Sequence, residues 1–465
     1  MSFVVCLAAL FFLMAVAYRG FSVILFAPIA AMAAVLVTDP AAVPTIFSGL
    51  FMEKMVGFLK LYFPLFLLGA VFGKLIEISG FARSIVGAVT GLLGQGRAVA
   101  AIVLVGAILT YGGVSLFVAV FAVYPFAAEL FRRSDIPKRL IPGTIALGAF
   151  TFTMDTLPGT PQIQNIIPTS FFKTDAYAAP WLGIIGSIFV FTLGVAWLEF
   201  RRRRAAAAGE GYGADHAEEP VASEDKITIH PAIALLPLFI VGIGNKLLLS
   251  WITASYGTEA SAALNPDMVA HPVTVQVKAV AAIWAVEGAL ILGILATVLL
   301  GFRNLASRFS EGSKAAVAGS LLAGMNTATE YGFGAVIAAL PGFKVISDAL
   351  SAIPNPLVNE AVTVNVLAGV TGSASGGLSI ALAALGERFV QAAQASGIPL
   401  EVMHRVASMA SGGMDTLPHN GAVITLLAVT GLTHRQSYGD IFAITCIKTL
   451  AVFFVIGVYY ATGLV

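Results

Sequence analysis

The sequence predicts an all-α polytopic membrane protein, with about ten transmembrane helices and two re-entrant hairpins in two inverted repeats. Composition is the first observation: 58% of the 465 residues are hydrophobic and 11% are charged, with a mean hydropathy of +0.91. A soluble globular chain carries about 25% charged residues, so this much apolar surface indicates a lipid environment. The second observation is a series of long apolar segments, and the third is the phrase Met-Asp-Thr-Leu-Pro, which occurs at 154–158 and at 414–418.

Apolar segments long enough for a bilayer core, which needs about 20 residues of helix, recur along the chain. In order they are 3–18, 20–37, 56–78, 98–131, 139–170, 180–200, 230–251, 276–301, 317–341, 357–395, 402–432 and 440–463. The first segment lacks the basic start and small-residue cleavage site of a signal peptide, so we interpret it as a retained helix.

Four of these segments are too long for one simple span and contain glycine pairs or internal prolines. We interpret 98–131 and 357–395 as hairpins that enter the membrane and return on the same side. We interpret 139–170 and 402–432 as single spans that are broken midway, because proline interrupts a helix. This assignment gives ten crossings and two re-entrant hairpins.

The distribution of basic residues orients the chain, because cytoplasmic loops are rich in Lys and Arg. With both termini placed in the periplasm, most basic clusters of the first half fall inside, including Arg132, Arg133 and the run 201–204. The hydrophilic segment 201–228 is predicted to be a flexible cytoplasmic linker. It separates repeat 1 at 1–200 from repeat 2 at 229–465.

Shorter matches accompany the repeated phrase in the same order along the chain. The matching pairs are 69–85 with 334–346, 112–116 with 376–380, 135–137 with 397–399, and 154–158 with 414–418. Offsets of 265, 264, 262 and 260 residues indicate an internal repeat of half the chain. Five predicted crossings separate the copies, and since five is odd, equivalent elements face opposite sides, as in many secondary transporters.

The repeated phrase places an acid and a helix break in the middle of each apolar span. An aspartate at the centre of a spanning helix costs about 2.5–3.5 kcal/mol on insertion scales, so Asp155 and Asp415 are candidate sites for a coupling ion. The alternative is a structural role, in which each carboxylate bonds backbone amides freed at the break. Glu330 and Glu287 are further coupling candidates, with a buried interhelical hydrogen bond as their alternative.

The predicted substrate-binding residues lie at the hairpin tips and around the two breaks, where glycine admits a ligand and helix N-termini offer N–H donors. They are Thr110, Gly112, Gly113, Ser115, Thr156, Thr160, Asn326, Ser375, Gly376, Gly377, Ser379, Thr416, His419 and Asn420. Gln162 and Asn165 are expected to line the same space. The alternatives are helix packing for the glycine pairs, bonding to their own helix for Ser115 and Ser379, and a neutral hydrogen-bonded role for His419.

An anionic substrate is expected to be held by helix dipoles, hydroxyls and amides, because the apolar segments offer few fixed cations. The two cysteines, Cys6 and Cys446, lie in apolar runs and are predicted to be free thiols. A net charge of +1 provides no field that would recruit nucleic acid.

Three segments closely resemble the gluconate permease family: "NTATEYGFGAVI" from 326, "VNVLAGVTGSASGGLSIAL" from 364 and "ASGGMDTLPHNGAVITLLAVTGLTH" from 410. The family comprises proton-coupled symporters of gluconate and related hydroxy acids. The resemblance implies uptake of a small hydroxylated organic acid, gluconate-like or a shorter hydroxycarboxylate, across the bacterial inner membrane. It implies binding at the hairpin tips around Gly112–Gly113 and Gly376–Gly377 and at both Met-Asp-Thr-Leu-Pro breaks.

The function expected from these observations is secondary active transport by proton symport, without a cofactor or metal, in a lipid bilayer. Sodium coupling is the alternative, and whether the assembly is a monomer or a homodimer is left open. A passive channel and an intramembrane enzyme are the other classes. The sequence has neither H-E-x-x-H nor G-x-S-x-G, and its histidines are scattered, which argues against an enzyme.

Overall fold

The structure is a computed structural model, and it describes residues 2–19, 21–213, 229–263, 272–345, 348, 353–418 and 420–465. Helices make up most of the described chain. Those of the first half are α1 (Ser2–Tyr18), α2 (Val23–Thr38), α3 (Pro40–Ile78), α4 (Phe81–Leu93), α5 (Ala98–Tyr111), α6 (Leu116–Arg133), α7 (Ile141–Ala149), α8 (Phe152–Asp155), α9 (Ile163–Phe172) and α10 (Pro180–Ala207).

The second half begins with α11 and continues through a short β-hairpin into the remaining helices. Its elements are α11 (Pro231–Tyr256), β1 (Glu259–Ala262), β2 (Val273–Gln276), α12 (Val277–Leu305), α13 (Phe309–Ala339), α14 (Pro356–Thr371), α15 (Ala374–Ala395), α16 (Leu400–Ser411), α17 (Gly421–Thr430) and α18 (His434–Thr462). The two strands pair antiparallel, with Glu259 opposite Gln276.

Apart from α4 and the β-hairpin, the described elements of the two halves follow one another in the same order. Each half has two leading helices, a long helix, a helix–turn–helix hairpin, a broken helix and a closing long helix. In the first half these are α1–α2, α3, α5–α6, α7–α9 and α10, and in the second they are α11–α12, α13, α14–α15, α16–α17 and α18. The opposite orientation of the halves in the membrane stays a prediction from the count of crossings.

The chain has the surface of a membrane protein. Within the described residues, five helices are long and apolar enough to span a bilayer: α3, α10, α11, the part of α12 from Ala279, and α18. Helix α11 exposes one apolar stripe of side chains that are 45–64% accessible. They are Leu236, Phe239, Ile243, Leu247 and Trp251. A continuous exposed apolar face of this kind suits lipid, so the predicted class of all-α polytopic membrane protein is confirmed.

The hairpin helices and the broken helices are short for their position in the chain. At 1.5 Å per residue, α5 with 14 residues is about 21 Å long and α14 with 16 residues is about 24 Å long. A hydrocarbon core is about 30 Å thick, so both helices are shorter than one straight crossing. The half-helices α7, α9 and α17 are shorter still, at 9, 10 and 10 residues. The chain turns between α5 and α6 and between α14 and α15, and it is interrupted between α7 and α9 and between α16 and α17.

The structure differs from the sequence-based segments at several boundaries. Helix α3 begins at Pro40 and contains a π-turn over Ile46–Phe51, where a loop was expected. Helix α4 was not anticipated, because its apolar residues occupy one face only. Helix α10 continues through Ala207, seven residues into the expected linker, and 214–228 lie outside the described residues.

Candidate functional site

The first break lies between α7 and α9 and is held open by its own polar side chains. Gly159 takes a left-handed φ of +83°, which glycine adopts without strain. The Thr160 hydroxyl donates to the Thr153 carbonyl at 2.7 Å, and the Asn165 amide donates to the carbonyls of Thr160 and Ala176 at 2.9 Å each. Carbonyls that the break frees are thus satisfied locally. The hydroxyl of Thr160, which was predicted to bind substrate, is therefore used in a hydrogen bond within the break.

The second break lies between α16 and α17 and contains a buried ion pair. The Lys448 ammonium on α18 is 2.6 Å from the Asp415 carboxylate, and the two side chains are only 4% and 12% accessible. The hydroxyls of Thr416 and Thr445 are 2.7 Å apart, and the Tyr438 hydroxyl donates to the Thr416 carbonyl at 3.2 Å. Helix α18 therefore braces the second break through three side chains.

The two breaks are joined to each other across the halves of the protein. Lys448, besides pairing with Asp415, donates to the Phe150 carbonyl at 3.3 Å, in the short gap between α7 and α8. Ser408 of α16 donates to the Asp155 carbonyl at 2.7 Å. The Asp155 carboxylate accepts from Thr156 and interacts electrostatically with Lys448, Asp415 and Arg405. The repeated acids therefore belong to one buried polar cluster.

Arg405 is the largest polar side chain in this cluster and is fully buried. Its Nε and Nη2 atoms donate to the Ala178 carbonyl at 3.1 and 2.8 Å, and Nη1 donates to the Asp155 carbonyl at 3.2 Å and to Asn165 Oδ1 at 2.9 Å. Every one of these acceptors belongs to the first half, while Arg405 belongs to the second. Arg405 therefore fastens the second broken helix to the first.

The expectation of few buried cations is wrong. Arg405 and Lys448 both lie beside the breaks, and the sequence analysis named neither as a site residue. Arg405 lies near the start of the segment 402–432, which was interpreted as a broken span, and Lys448 is an isolated charge inside a long apolar segment. His404 was also missed; it is fully buried, with Nδ1 2.6 Å from the Thr174 hydroxyl.

Each hairpin tip is bonded to the break of its own half by a side-chain amide. In the first half, Gln162 Nε2 donates to the Thr110 carbonyl at 2.7 Å and to the Val114 carbonyl at 3.2 Å. In the second half, Asn420 Nδ2 donates to the Gly372 carbonyl at 2.8 Å. Each amide residue also precedes the helix that follows its break, as the N-cap of α9 or α17. The repeat is thus visible in contacts as well as in helix order.

The tips themselves differ from the predicted positions in the second half. The first tip turns at 112–115, and Gly113 has a φ of +94°. The second turns at Gly372 and Ser373, so Gly376 and Gly377 lie inside the first turns of α15 rather than at the tip. A side chain at Gly377 would overlap the backbone of Ala368. Gly377 therefore lets α15 pack closely on α14, and Gly376 leaves room for the Glu330 carboxylate of α13.

The remaining predicted residues of the second half gather along α13 and α15. The Ser375 and Thr327 hydroxyls are 3.2 Å apart, and the Glu330 carboxylate lies against Gly376 with its Oε2 buried and unpaired. Ser379 Oγ is also buried and unpaired. Asn326 is half-buried on α13, one turn before Glu330. These residues form a second polar group beside the hairpin.

The other predicted residues are divided between the two halves. Thr110 is buried at the end of α5 with its hydroxyl unpaired, and Ser115 is the N-cap of α6. Gly112 packs against the Leu238 side chain, and Glu287 is half-buried on α12. His419 lies outside the described residues.

The chain is similar to one relative over its full length and to another over a short part of it. No model of a known protein family matches the chain. The transporter YxjC of Bacillus subtilis (strain 168) is 58% identical over 476 aligned residues, which cover 100% of both chains. A transporter of Haemophilus influenzae (strain Rd) is 48% identical over 73 residues, which are 16% of this chain and 17% of the relative.

Two solved structures resemble the fold at low sequence identity. The YdaH transporter of Alcanivorax borkumensis, described as having an unusual topology, aligns over 91% of this chain and 90% of its own, with a TM-score of 0.50 and 16% identity. MtrF of Neisseria gonorrhoeae, from a class of antimetabolite efflux pumps, aligns over 90% and 83%, with a TM-score of 0.50 and 12% identity. Both are transporters, and at these identities the likeness concerns the fold alone. Because a relative with 58% identity spans the full length, the chain belongs to the same family of membrane transporters as YxjC of Bacillus subtilis.

Proposed function

We propose that this transporter takes up a small hydroxylated organic acid by proton symport, through alternating access of a site at the crossing of the two broken helices. The observation that carries the proposal is that both repeated acids, Asp155 and Asp415, are buried in one cluster, in which Lys448 pairs with Asp415 and donates to the first break at Phe150. Ionisable groups are costly inside a membrane and mark ion pathways or substrate sites. A carboxylate that accepts a proton on one side and releases it on the other is the simplest coupling element.

The helix termini favour an anionic substrate. Helices α6 and α9 begin beside each other in the first half, because Gln162 bonds the tip next to α6, and α15 and α17 do so in the second half through Asn420. Helix N-termini carry unpaired N–H groups and the positive end of the helix dipole. The helix termini of each half would add to the stabilisation of a bound carboxylate, for which Arg405 is not available because it is already occupied by acceptors of the first half.

The substrate class is supported by the resemblance of three segments to gluconate permeases, which suggests gluconate or a shorter acid such as 3-hydroxybutyrate. The polar group around Ser375, Thr327 and Glu330 would contact substrate hydroxyls, since it lies one helix turn from the second tip. The protein would act in the bacterial inner membrane with both termini in the periplasm, because the basic loops of its first half then face the cytoplasm.

Uptake by purified protein in liposomes tests the proposal. A panel of labelled acids (gluconate, 3-hydroxybutyrate, lactate and a dicarboxylate) is presented with an inward proton gradient, with an inward sodium gradient, or with neither. Proton symport predicts accumulation of at least one hydroxy acid only under the proton gradient. Accumulation that depends on the sodium gradient at fixed pH would identify sodium, rather than the proton, as the coupling ion. Outward transport would identify the protein as an exporter, as in the efflux class of MtrF.

A second measurement separates a carrier from a channel. Unlabelled acid inside the vesicles should drive transient uptake of labelled acid from outside, because a site with alternating access exchanges one molecule for another. A channel would equilibrate the label without this overshoot.

A further inference from the structure

We propose that Lys448 is the residue that binds the substrate carboxylate, and that it becomes available when a proton binds to Asp415 and breaks their ion pair. This inference rests on the proposed function and names the group that links the proton to the anion. It is carried by the buried Lys448–Asp415 contact and by the contact of Lys448 with the first break.

Lys448 has few competing partners in the described structure. Its ammonium has three donors, and the contacts found for it are the Asp415 carboxylate at 2.6 Å and the Phe150 carbonyl at 3.3 Å. With only 4% of the residue accessible, Lys448 is strongly dependent on its carboxylate partner, because a buried charge without one is costly. A second carboxylate, from the substrate, is the group most able to replace Asp415.

The two halves are unequal at this position. Helix α10, which occupies in the first half the place of α18, has no basic residue between Pro180 and Phe200. The repeat therefore duplicates the aspartates, but only the second half has the lysine. The other buried cation of the cluster, Arg405, donates to carbonyl and amide oxygens of the first half and is not free to follow a substrate.

The charges balance through one transport cycle. In the empty state the Asp415 carboxylate and the Lys448 ammonium cancel. A proton from the periplasm forms an O–H bond on Asp415, the ammonium keeps all its protons, and the substrate carboxylate takes the place of Asp415 beside it. The loaded site is again neutral. On the cytoplasmic side the acid leaves, the proton dissociates from Asp415, and the ion pair re-forms. For a monocarboxylate this pair moves one proton with one anion, without net charge.

Other ionisable groups surround the pair and belong to the same test. Asp155 of α8 interacts electrostatically with Lys448, Asp415 and Arg405. The Tyr438 hydroxyl of α18 interacts electrostatically with Asp415 and Cys446. Glu360 of α14, a helix that also packs on α18, is fully buried, and none of its described neighbours is a charged partner. Variants at Asp415 and Lys448 therefore need to be compared with each other rather than with the wild type alone.

Binding of gluconate and of 3-hydroxybutyrate to the purified full-length protein tests the inference, over a range of pH. The wild type should bind more tightly as the pH falls. Asp415→Asn keeps the shape of the protonated acid, so its affinity should be high and independent of pH. Lys448→Gln should weaken binding by roughly tenfold or more, the loss expected for a charge-assisted hydrogen bond. It should not change the weak binding of gluconamide, which lacks the carboxylate.

Two further variants distinguish a loss of binding from a loss of folding. The double variant Asp415→Asn/Lys448→Gln leaves no unpaired buried charge, so it should be as stable as the wild type and still fail to bind the acids. Lys314→Gln makes the same change at an exposed position of α13 and should bind like the wild type. Equal affinity of Lys448→Gln and Lys314→Gln for the acids would overturn the inference.

A substrate-free measurement separates this inference from the proposed function. Infrared difference spectra between neutral and acidic pH should contain a protonated-carboxyl band that is lost in Asp415→Asn. The absence of any band that depends on Asp415 overturns the release step, whichever acids are transported. If the band is present but the wild type binds none of the acids, the proposed substrate class fails, and with it the assignment of Lys448 to a carboxylate.

Discussion

Replacing Arg405 by leucine should destabilise the protein by about 1–3 kcal/mol. The guanidinium is fully buried and supplies both side-chain donors found on the Ala178 carbonyl, as well as a 2.9 Å bond to Asn165 Oδ1. A buried acceptor left without its donor costs roughly 1–3 kcal/mol, and the Ala178 carbonyl is that acceptor. Asn165 Oδ1 contributes less, because His404 Nε2 remains 3.4 Å from it. The Asp155 carbonyl adds less to the loss, because Ser408 continues to donate to it.

Equilibrium unfolding in mixed detergent measures this effect. The matched control is Arg388→Leu, at an exposed position of α15, where a surface substitution changes stability by about 0.5 kcal/mol or less. Arg405→Leu should unfold at clearly lower denaturant, and residual uptake per folded molecule should fall as well, since the two broken helices are no longer fastened. A difference of less than about 1 kcal/mol between the two variants would refute the structural account of Arg405.

Three other variants test separate parts of the site. Gly412→Ala should abolish uptake, because its new methyl group would overlap the buried carboxylate of the first-half acid, whereas Gly457→Ala has open space and should transport normally; equal activity of the two would contradict the packing of the breaks. Asn420→Ala should weaken substrate affinity by loosening the second hairpin tip, and an unchanged apparent KM would contradict that role. Arg139 holds the pKa of Glu210 below its ordinary value of 4.5, so their ion pair is stabilising above that pH and is lost as the pH falls through the lowered pKa. Thermal unfolding of Glu210→Gln should accordingly lose less stability than the wild type on acidification below about pH 4.5, and parallel curves would exclude the contribution.

The fold was predictable where the physics is local. The length of an apolar segment predicts a spanning helix. The pair Pro158–Gly159 predicts a helix break, because proline interrupts a helix. The hairpins followed from segment length, because 34 apolar residues exceed one crossing. Helix α3 was predicted less well, since nothing in the composition of 38–50 separates a loop from the π-turn that the structure contains.

The site was predictable only in part, because its bonds join residues far apart in the chain. The repeat identified Asp155 and Asp415 as equivalent acids, and their burial agrees with that equivalence. The partners of the breaks, Arg405 and Lys448, have no signature in the sequence beyond a charge within an apolar helix. That signal was present at Lys448 and would have identified it, since a lone lysine in a spanning segment needs a buried acid as its partner.

The central claim is that proton and anion are coupled where the two broken helices cross. The most direct test compares the wild type with Asp415→Asn in liposomes. It measures the accumulation of a labelled hydroxy acid under an inward proton gradient, with the membrane potential clamped at zero. The account predicts that the wild type concentrates the acid above the external level. The variant should exchange the acid across the membrane without concentrating it. Equal accumulation by the two proteins would contradict the claim.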